Sequence, residues 1–344
     1  MGIRLPVLLR RGLQPVPLGD GATVVVIGGG PAGAFFAIRV LRKARQLGRQ
    51  LEVLILEQKK ERQYRPAALS SACREGCNYC AGGISPRLTA LLNQDGLAMP
   101  ADIVMGKAES LTVHGDWKSI ELPVPDGKEM LFVFRGSRPT NRDCRDANFD
   151  SYLLRKAVEE GAQAVTGQAQ CLRCAPGARS QVSYRARAGT ETRSAVVEAD
   201  FAVAATGVNQ TPEMGLETSD LHRSLVEAMP GFRPPRVRRA IIGEMRVPEH
   251  VRRLMEGQVH FVQYGARDLS IEMSSLIPKG DWLTVALLGR SVDESEPHED
   301  PRLLERFLAL PHVRRLLPRG ADLVSGCVCH PNMAVGVAHH PHKH

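Results

Sequence analysis

An α/β fold in three layers, with an antiparallel sheet inserted as a second domain, is what this 344-residue sequence predicts. Three observations predict it. An apolar strand runs straight into a glycine-rich turn and an apolar helix at residues 24–41. A second apolar run at 51–56 ends in an acid. Residues 259–289 then change to short strand-like stretches separated by turn signals.

The first of these elements reads "VVVIGGGPAGAFFA", residues 24–37. Val24 to Ile27 are four apolar residues in a row, the pattern of a strand buried on both faces. Gly28, Gly30 and Gly33 follow with G-x-G-x-x-G spacing around Pro31 and Ala32, and Ala34 to Leu41 is apolar on most faces, as a helix packed on a sheet is. In such a turn the first glycine makes the bend, the second lets backbone approach a pyrophosphate, and the third lets helix and strand pack closely. Free amides and the helix dipole at that end favour a phosphate's negative charge. The second run, Leu51 to Leu56, is separated from the helix by a turn at Gly48 and ends in Glu57, twenty-four residues after Gly33. A carboxylate there suits the hydroxyls of a ribose. Strand, turn, helix, strand and acid in this order read as a Rossmann-like dinucleotide unit over residues 22–57, rather than a glycine-rich turn of another α/β protein. An acid in place of a basic residue points to FAD or NAD over a 2′-phosphorylated nucleotide.

The rest of the chain divides around this unit. Residues 1–21 read as an irregular lead-in, 22–215 as the nucleotide-binding domain, 216–318 as an antiparallel sheet with helices, and 319–344 as a return segment with a histidine-rich tail. Within the first domain, "SPRLTALLNQDGL" predicts a short helix ended by Gly96, and 108–135 predicts an inserted meander with turns at His114-Gly115-Asp116 and Asp126-Gly127. "NFDSYLLRKAVEEG" predicts a helix stopped by Gly161. Phe201 to Ala205 predicts a strand leading into Thr206-Gly207, small residues at a strand end. In the second domain, "QVHFVQY", "LSIEMSSLI" and "WLTVALLG" predict strands, separated by turns at 265–268 and at Pro278-Lys279-Gly280-Asp281. Residues 301–317 predict a helix broken at Pro311.

Composition narrows the functions. A hydrophobic content of 43% and a charged content of 24% describe a globular protein. No apolar run reaches the roughly 18 residues that a membrane-spanning helix needs. The start is broken by prolines and arginines and lacks a small-residue cleavage site, which argues against a secretory signal and for a cytoplasmic setting. The net charge of +8 is spread along the chain among acids, and aromatic content is 5%, so nucleic acid is not an expected partner. A peripheral contact with an anionic membrane stays open.

The segments "VVVIGGGPAG", "LEVLILEQ", "NFDSYLL…GA" and "FAVAATGVN" occur in an order that resembles FAD-dependent oxidoreductases of the p-hydroxybenzoate hydroxylase fold. "CAGGISPRL" and "SSLIPKGDWLTVALLG" are most similar to the geranylgeranyl reductase branch. The resemblance implies a flavin enzyme that reduces carbon–carbon double bonds of an isoprenoid or similar apolar substrate. It carries over Gly28, Gly30, Pro31, Ala32, Gly33, Glu57, Thr206 and Gly207 as cofactor positions, and places Cys80, just before Gly82-Gly83, near the flavin ring as the catalytic candidate. The family also has a further strand and a Gly-Asp motif after the region matching "CHPNMAVGVAHHPH"; this sequence stops at "HHPHKH". The expectation is either a shortened form or an incompletely held FAD. No second G-x-G-x-x-G occurs, so the electron donor is expected to be transient NAD(P)H or a ferredoxin-like partner. A flavin monooxygenase acting on an aromatic substrate, and a non-catalytic remnant of such an enzyme, are the alternatives.

Five of the eight cysteines are grouped: Cys73, Cys77 and Cys80, then Cys327 and Cys329. Three readings compete. Thiolates from both groups converge on zinc or an iron–sulfur cluster; Cys77 and Cys80 form a redox dithiol; or small thiols fill a loop near the cofactor. Cys144, Cys171 and Cys174 read as structural. His339, His340, His342 and His344 read as a tail or a divalent-metal site. His114 and His260 read as surface or core residues.

Overall fold

The computed structural model describes residues 17–59, 81–115, 117–136, 148–175, 177–188, 191–209, 219–229, 232, 234–266, 269–317 and 324–335. The predicted α/β architecture is present. Strand β1 (Ala22–Ile27) leads through the glycine turn into helix α1 (Pro31–Gln46) and back to β2 (Leu51–Glu57). Two small elements follow, β3 (Gly83–Ile84) and α2 (Pro86–Gln94), the latter capped by Ser85, whose Oγ accepts from the Leu88 amide. Next come β4 (Val104–Ala108), β5 (Ser110–His114), β6 (Ser119–Pro123), β7 (Met130–Val133) and helix α3 (Phe149–Glu159). Strands β8 (Gln163–Arg173), β9 (Ser180–Ala188) and β10 (Glu191–Ala199) form an antiparallel run, and β11 (Phe201–Ala204) and α4 (Asp220–Ala228) complete the first unit.

The sheet of this unit has the order β10-β9-β8-β2-β1-β11, with β8, β2, β1 and β11 mutually parallel. A strand buried on both faces sends alternate side chains to opposite layers. Val24 and Val26 pack with Ala34, Ile38, Phe149 and Leu153 of α1 and α3. Val25 and Ile27 pack the other way, against Leu172, Val182, Leu221 and Leu225. These are the three layers that the sequence predicted.

The second unit contains β12 (Val237–Arg239), β13 (Ile241–Arg246), α5 (Glu249–Met255), β14 (Val259–Ala266), β15 (Leu269–Lys279), β16 (Trp282–Leu288), α6 (Arg290–Asp293), α7 (Asp300–Ala309), α8 (Pro311–Arg314), β17 (Val324–Cys329) and β18 (Asn332–Ala334). Its sheet runs β17-β13-β16-β15-β14-β5-β6. The helix predicted over 301–317 breaks at Pro311, as expected. One face of the sheet is covered by helices: Ile241, Met245, Leu283 and Val285 pack on Val251, Leu304 and Phe307.

Three segments lie elsewhere than the sequence boundaries place them. The 108–135 stretch is not one meander. β5 pairs in parallel with β14, so the β5–β6 hairpin joins the second sheet, while β7 pairs with β3 and β4 in a separate three-stranded sheet. Alternation marks strands but does not name their partners. Helix α4, placed after the 215 boundary, belongs by packing to the first unit, where Ser224 Oγ accepts from the Leu172 amide at 2.9 Å. The return segment joins the second sheet through β17 on β13, with β18 on β12.

Candidate functional site

The glycine turn sits where β1, β2 and β11 end side by side, the crevice at the carboxyl ends of a parallel sheet where such folds take ligands. Gly28 has φ 109°, donates its amide to Leu56 O at 2.9 Å, and lies so close to Ala205 O that any Cβ would collide with it. Gly33 is closed in likewise by Gly28 O and by Val26 Cγ1, 3.0 Å from a would-be Cβ. Gly30 is different. Its backbone is extended (φ −66°, ψ −179°), and the nearest atoms to a Cβ there are Arg135 Nη2 at 3.9 Å and Asp150 Oδ2 at 4.0 Å. Among the described residues nothing demands a glycine at this position, and the space in front of it is open to a ligand.

Helix α1 opens onto that space. Pro31 occupies its first position and has no N–H to leave unpaired, exposed Ala32 is at the mouth, and the first turn carries no acidic residue. The amides of Ala32 and Gly33 thus point at a site suited to an anion. Glu57, at the end of β2, accepts from the Gly29 amide (2.8 Å, Oε2) and from the Lys59 amide (2.8 Å, Oε1). Each oxygen keeps a further lone pair, so the carboxylate latches the turn and can still accept from a hydroxyl. Thr206, half-buried, and exposed Gly207 follow β11 beside it, with Ala205 N donating to Ile27 O at 2.8 Å. All eight expected cofactor positions therefore lie around one strand-end crevice, and its donors and acceptors fit a dinucleotide.

Two contributors were not visible in the sequence. Arg135, after β7, makes a two-pronged pair with Asp150 in the first turn of α3 (Nε to Oδ1 2.9 Å, Nη2 to Oδ2 2.8 Å), and both flank Gly30. Burial pushes the Asp150 carboxyl up, and Arg135 pulls it down. Asn148 caps the same helix, its Oδ1 accepting from the Ser151 amide at 2.8 Å. The "NFD" helix start was the one available signal.

The helix-free face of the second sheet looks toward the first unit. Following the strand registers, it carries Leu122, Ile120, Leu111, Val113, Val259 and Phe261, then Met273, Ser275, Ile277 and Lys279. Thr284, Ala286 and Leu288 continue it on β16, Ile242 and Glu244 on β13, and Cys327 and Cys329 on β17. Val259 and Ile277 pack on Phe132 of β7 with Ala81 alongside, while Phe261, Met273, Ala286 and Leu288 stay partly accessible. Lys279, read from the sequence as a turn residue, is instead fully buried.

Of the grouped cysteines, Cys329 is buried, with its Sγ 3.5 Å from Ile242 O, and Cys327 is half-buried two positions back on the same face. Cys73, Cys77 and Cys80 lie outside the described residues, as do Cys144 and the histidine-rich tail. Among the described residues no group of three or more His, Cys, Asp or Glu side chains is placed to hold a metal. Cys171 and Cys174 are free thiols. No helix among the described residues is long and apolar enough to cross a membrane.

No family model matches the chain, and no curated protein matches its sequence. Solved structures do match its shape. A geranylgeranyl bacteriochlorophyll reductase-like protein from Thermoplasma acidophilum aligns over 92% of this chain and 67% of its own, at 17% identity and a TM-score of 0.60. A flavin-dependent brominase aligns over 91% and 67% (16% identity, TM-score 0.60), and a p-nitrophenol 4-monooxygenase from Pseudomonas putida over 92% and 67% (16%, 0.56). The chain spans about two thirds of the length of each of these proteins. Its fold is the one these proteins share, a Rossmann-type α/β unit joined to an antiparallel sheet.

Proposed function

We propose that this chain is an FAD-dependent oxidoreductase that reduces carbon–carbon double bonds of an isoprenoid or similar apolar substrate. The observation that carries the reading is the asymmetry of the glycine turn: Gly28 and Gly33 are closed in by protein, and Gly30 is open on the side to which the α1 amides point. In this reading Ala32 and Gly33 donate to the pyrophosphate, and the Arg135 guanidinium, neutralised by its pair with Asp150, lies beside it. Glu57 accepts from the adenosine ribose, while Thr206 and Gly207 border the cofactor at the end of β11. FAD, when bound, supplies the hydride chemistry, and the protein supplies orientation and a shaped pocket.

The substrate class rests on the sheet face. Phe261, Met273, Ala286 and Leu288 offer a hydrocarbon surface with no ionisable group among them, and covering it stabilises a bound chain by about 25 cal/mol per Å². Reducing equivalents come in this proposal from NAD(P)H or a ferredoxin-like protein in the cytoplasm, and the spread positive charge allows a peripheral membrane contact near a lipid substrate. Cys80 keeps its proposed place beside the flavin, and Cys73, Cys77, Cys80, Cys327 and Cys329 their proposed role as ligands of zinc or an iron–sulfur cluster.

The test is an absorption spectrum of the purified chain before and after anaerobic dithionite, with iron and zinc measured on the same sample. Oxidised-flavin bands at one FAD per chain that bleach on reduction are the expected result. A colourless protein that takes up no added FAD refutes the reading and leaves the non-catalytic alternative. Oxygen consumption coupled strictly to NADPH in the presence of an aromatic substrate would identify a monooxygenase instead.

A further inference from the structure

Lys279 and Glu244 are buried ionisable side chains on the helix-free face of the second sheet, and Lys279 has no accessible surface at all. Its Nζ lies 3.8 Å from Glu244 Oε1, an ion pair too long to be a hydrogen bond, while Glu244 Oε2 accepts from Thr284 Oγ1 at 2.7 Å. The ammonium has no hydrogen-bond partner among the described residues. It offers three donors, and burying them unpaired costs free energy that an apolar side chain of the same length would not.

What the ammonium does touch leads away from its own sheet. It sits 4.6 Å from the centre of the Phe134 ring, on the face that attracts a cation. It also packs on Gly82, where a Cβ would lie 3.0 Å from Nζ. Gly82 has φ 77° and is held to β7 by the Val133 amide, which donates to its carbonyl at 2.9 Å. Phe134 accepts from the Phe149 amide at 2.9 Å, at the start of α3, and the next residue is Arg135, whose guanidinium reaches Asp150 beside Gly30. The contacts run without a break from the sheet to the mouth of the glycine turn.

We propose that Lys279 is a positioning residue: by clamping Gly82 and Phe134 against the Glu244 side of the sheet, it sets the Arg135–Asp150 pair at the dinucleotide turn. The consequence for FAD rests on the proposed function; the clamp itself does not.

The experiment compares the full-length wild type with Lys279→Met and with Lys279→Met/Glu244→Gln. The double variant removes the carboxylate that the single change would leave buried and uncompensated. Hydrogen–deuterium exchange without cofactor is expected to rise at 81–84 and 130–135 in a cooperatively melting double variant, with 22–27 unchanged. FAD affinity is expected to fall about tenfold, with a changed visible circular dichroism of the bound flavin. Wild-type exchange at 81–84 and 130–135 in the folded double variant overturns the proposal. So does faster exchange with unchanged FAD affinity and flavin dichroism. A wild type that binds no FAD defeats the functional reading separately, and the exchange comparison still decides whether the clamp exists.

Discussion

Gly30 and Gly33 belong to the same motif, yet the structure gives them opposite responses to a side chain. At Gly30 a valine enters space whose nearest atoms are 3.9 and 4.0 Å from its Cβ, with backbone angles open to any residue. Stability should fall by less than about 1 kcal/mol, because the Cβ meets Arg135 and Asp150 only at ordinary van der Waals distance, while Gly30 caps α1 at a position where valine is less suited than glycine. FAD affinity should fall sharply, because the same space must hold the pyrophosphate. A side chain forced against a ligand costs about 1–3 kcal/mol by analogy with overpacking, roughly a tenfold to hundredfold loss in affinity. At Gly33 even an alanine meets Gly28 O and Val26 Cγ1, so Gly33→Ala should lower stability by about 1–3 kcal/mol before any ligand is added. Urea unfolding of Gly30→Val, Gly33→Ala and wild type, followed by FAD titration of each, separates the two. A Gly30→Val protein that binds FAD like wild type would refute the placement of the pyrophosphate. A Gly30→Val protein as unstable as Gly33→Ala would refute the geometry.

Three further outcomes follow from particular contacts. His260, buried with its Nδ1 2.9 Å from His114 Nε2, is held down at about 4 by burial and by His114. The unfolded chain binds a proton there that the folded chain refuses, so stability falls as pH drops from about 6.5 toward 4, by at most about 1.4 kcal/mol per unit. Asp300 is pushed up to about 6 by burial despite its Arg239 partner and gives the opposite slope between about 4 and 6, so the measurement is the difference between wild type and His260→Gln melts at pH 7 and pH 5. Equal losses in the two proteins would sink the argument. Arg135→Met removes the two-pronged guanidinium pair of buried Asp150 and should cost about 3 kcal/mol, largely recovered in Arg135→Met/Asp150→Leu; additive losses in urea would contradict it. Asn148→Ala removes the cap of α3 and should cost about 1 kcal/mol in the same assay, and no change would mean the cap is not formed in solution.

The first unit could be read in the sequence because its signals are local. Four consecutive apolar residues, a glycine spacing and an acid at the end of the next strand each constrain backbone within a few residues, and β1, α1 and β2 appear where they point. The strands over 259–289 were legible for the same reason. What the sequence did not reveal depends on contacts between distant segments. The hairpin of β5 and β6 alternates as a meander should, but its partner is β14, some 146 residues on from His114 to His260, and no periodicity encodes that pairing. Leu221 and Leu225 make a helix amphipathic wherever it packs, so only the structure shows that α4 lies on Leu172 and Val182 of the first unit.

Lys279 shows the limit most clearly. Within Pro278-Lys279-Gly280-Asp281 a lysine beside proline, glycine and aspartate has every mark of a solvated turn, and Gly280 does turn the chain with φ 61°. The side chain nevertheless continues the alternation of β15, in which Ser275, Ile277 and Lys279 face one way, and the sheet delivers it against Glu244 on a strand 35 residues earlier and Phe134 in the other unit. Strand parity could have been extended by one residue from Ile277 to predict its direction. Its burial could not, because burial requires knowing that β7 and Gly82 cover that end of the sheet. Motif residues that make a turn are therefore legible from sequence alone, while the charged side chains that fix one unit against another become legible only when register and packing are known together.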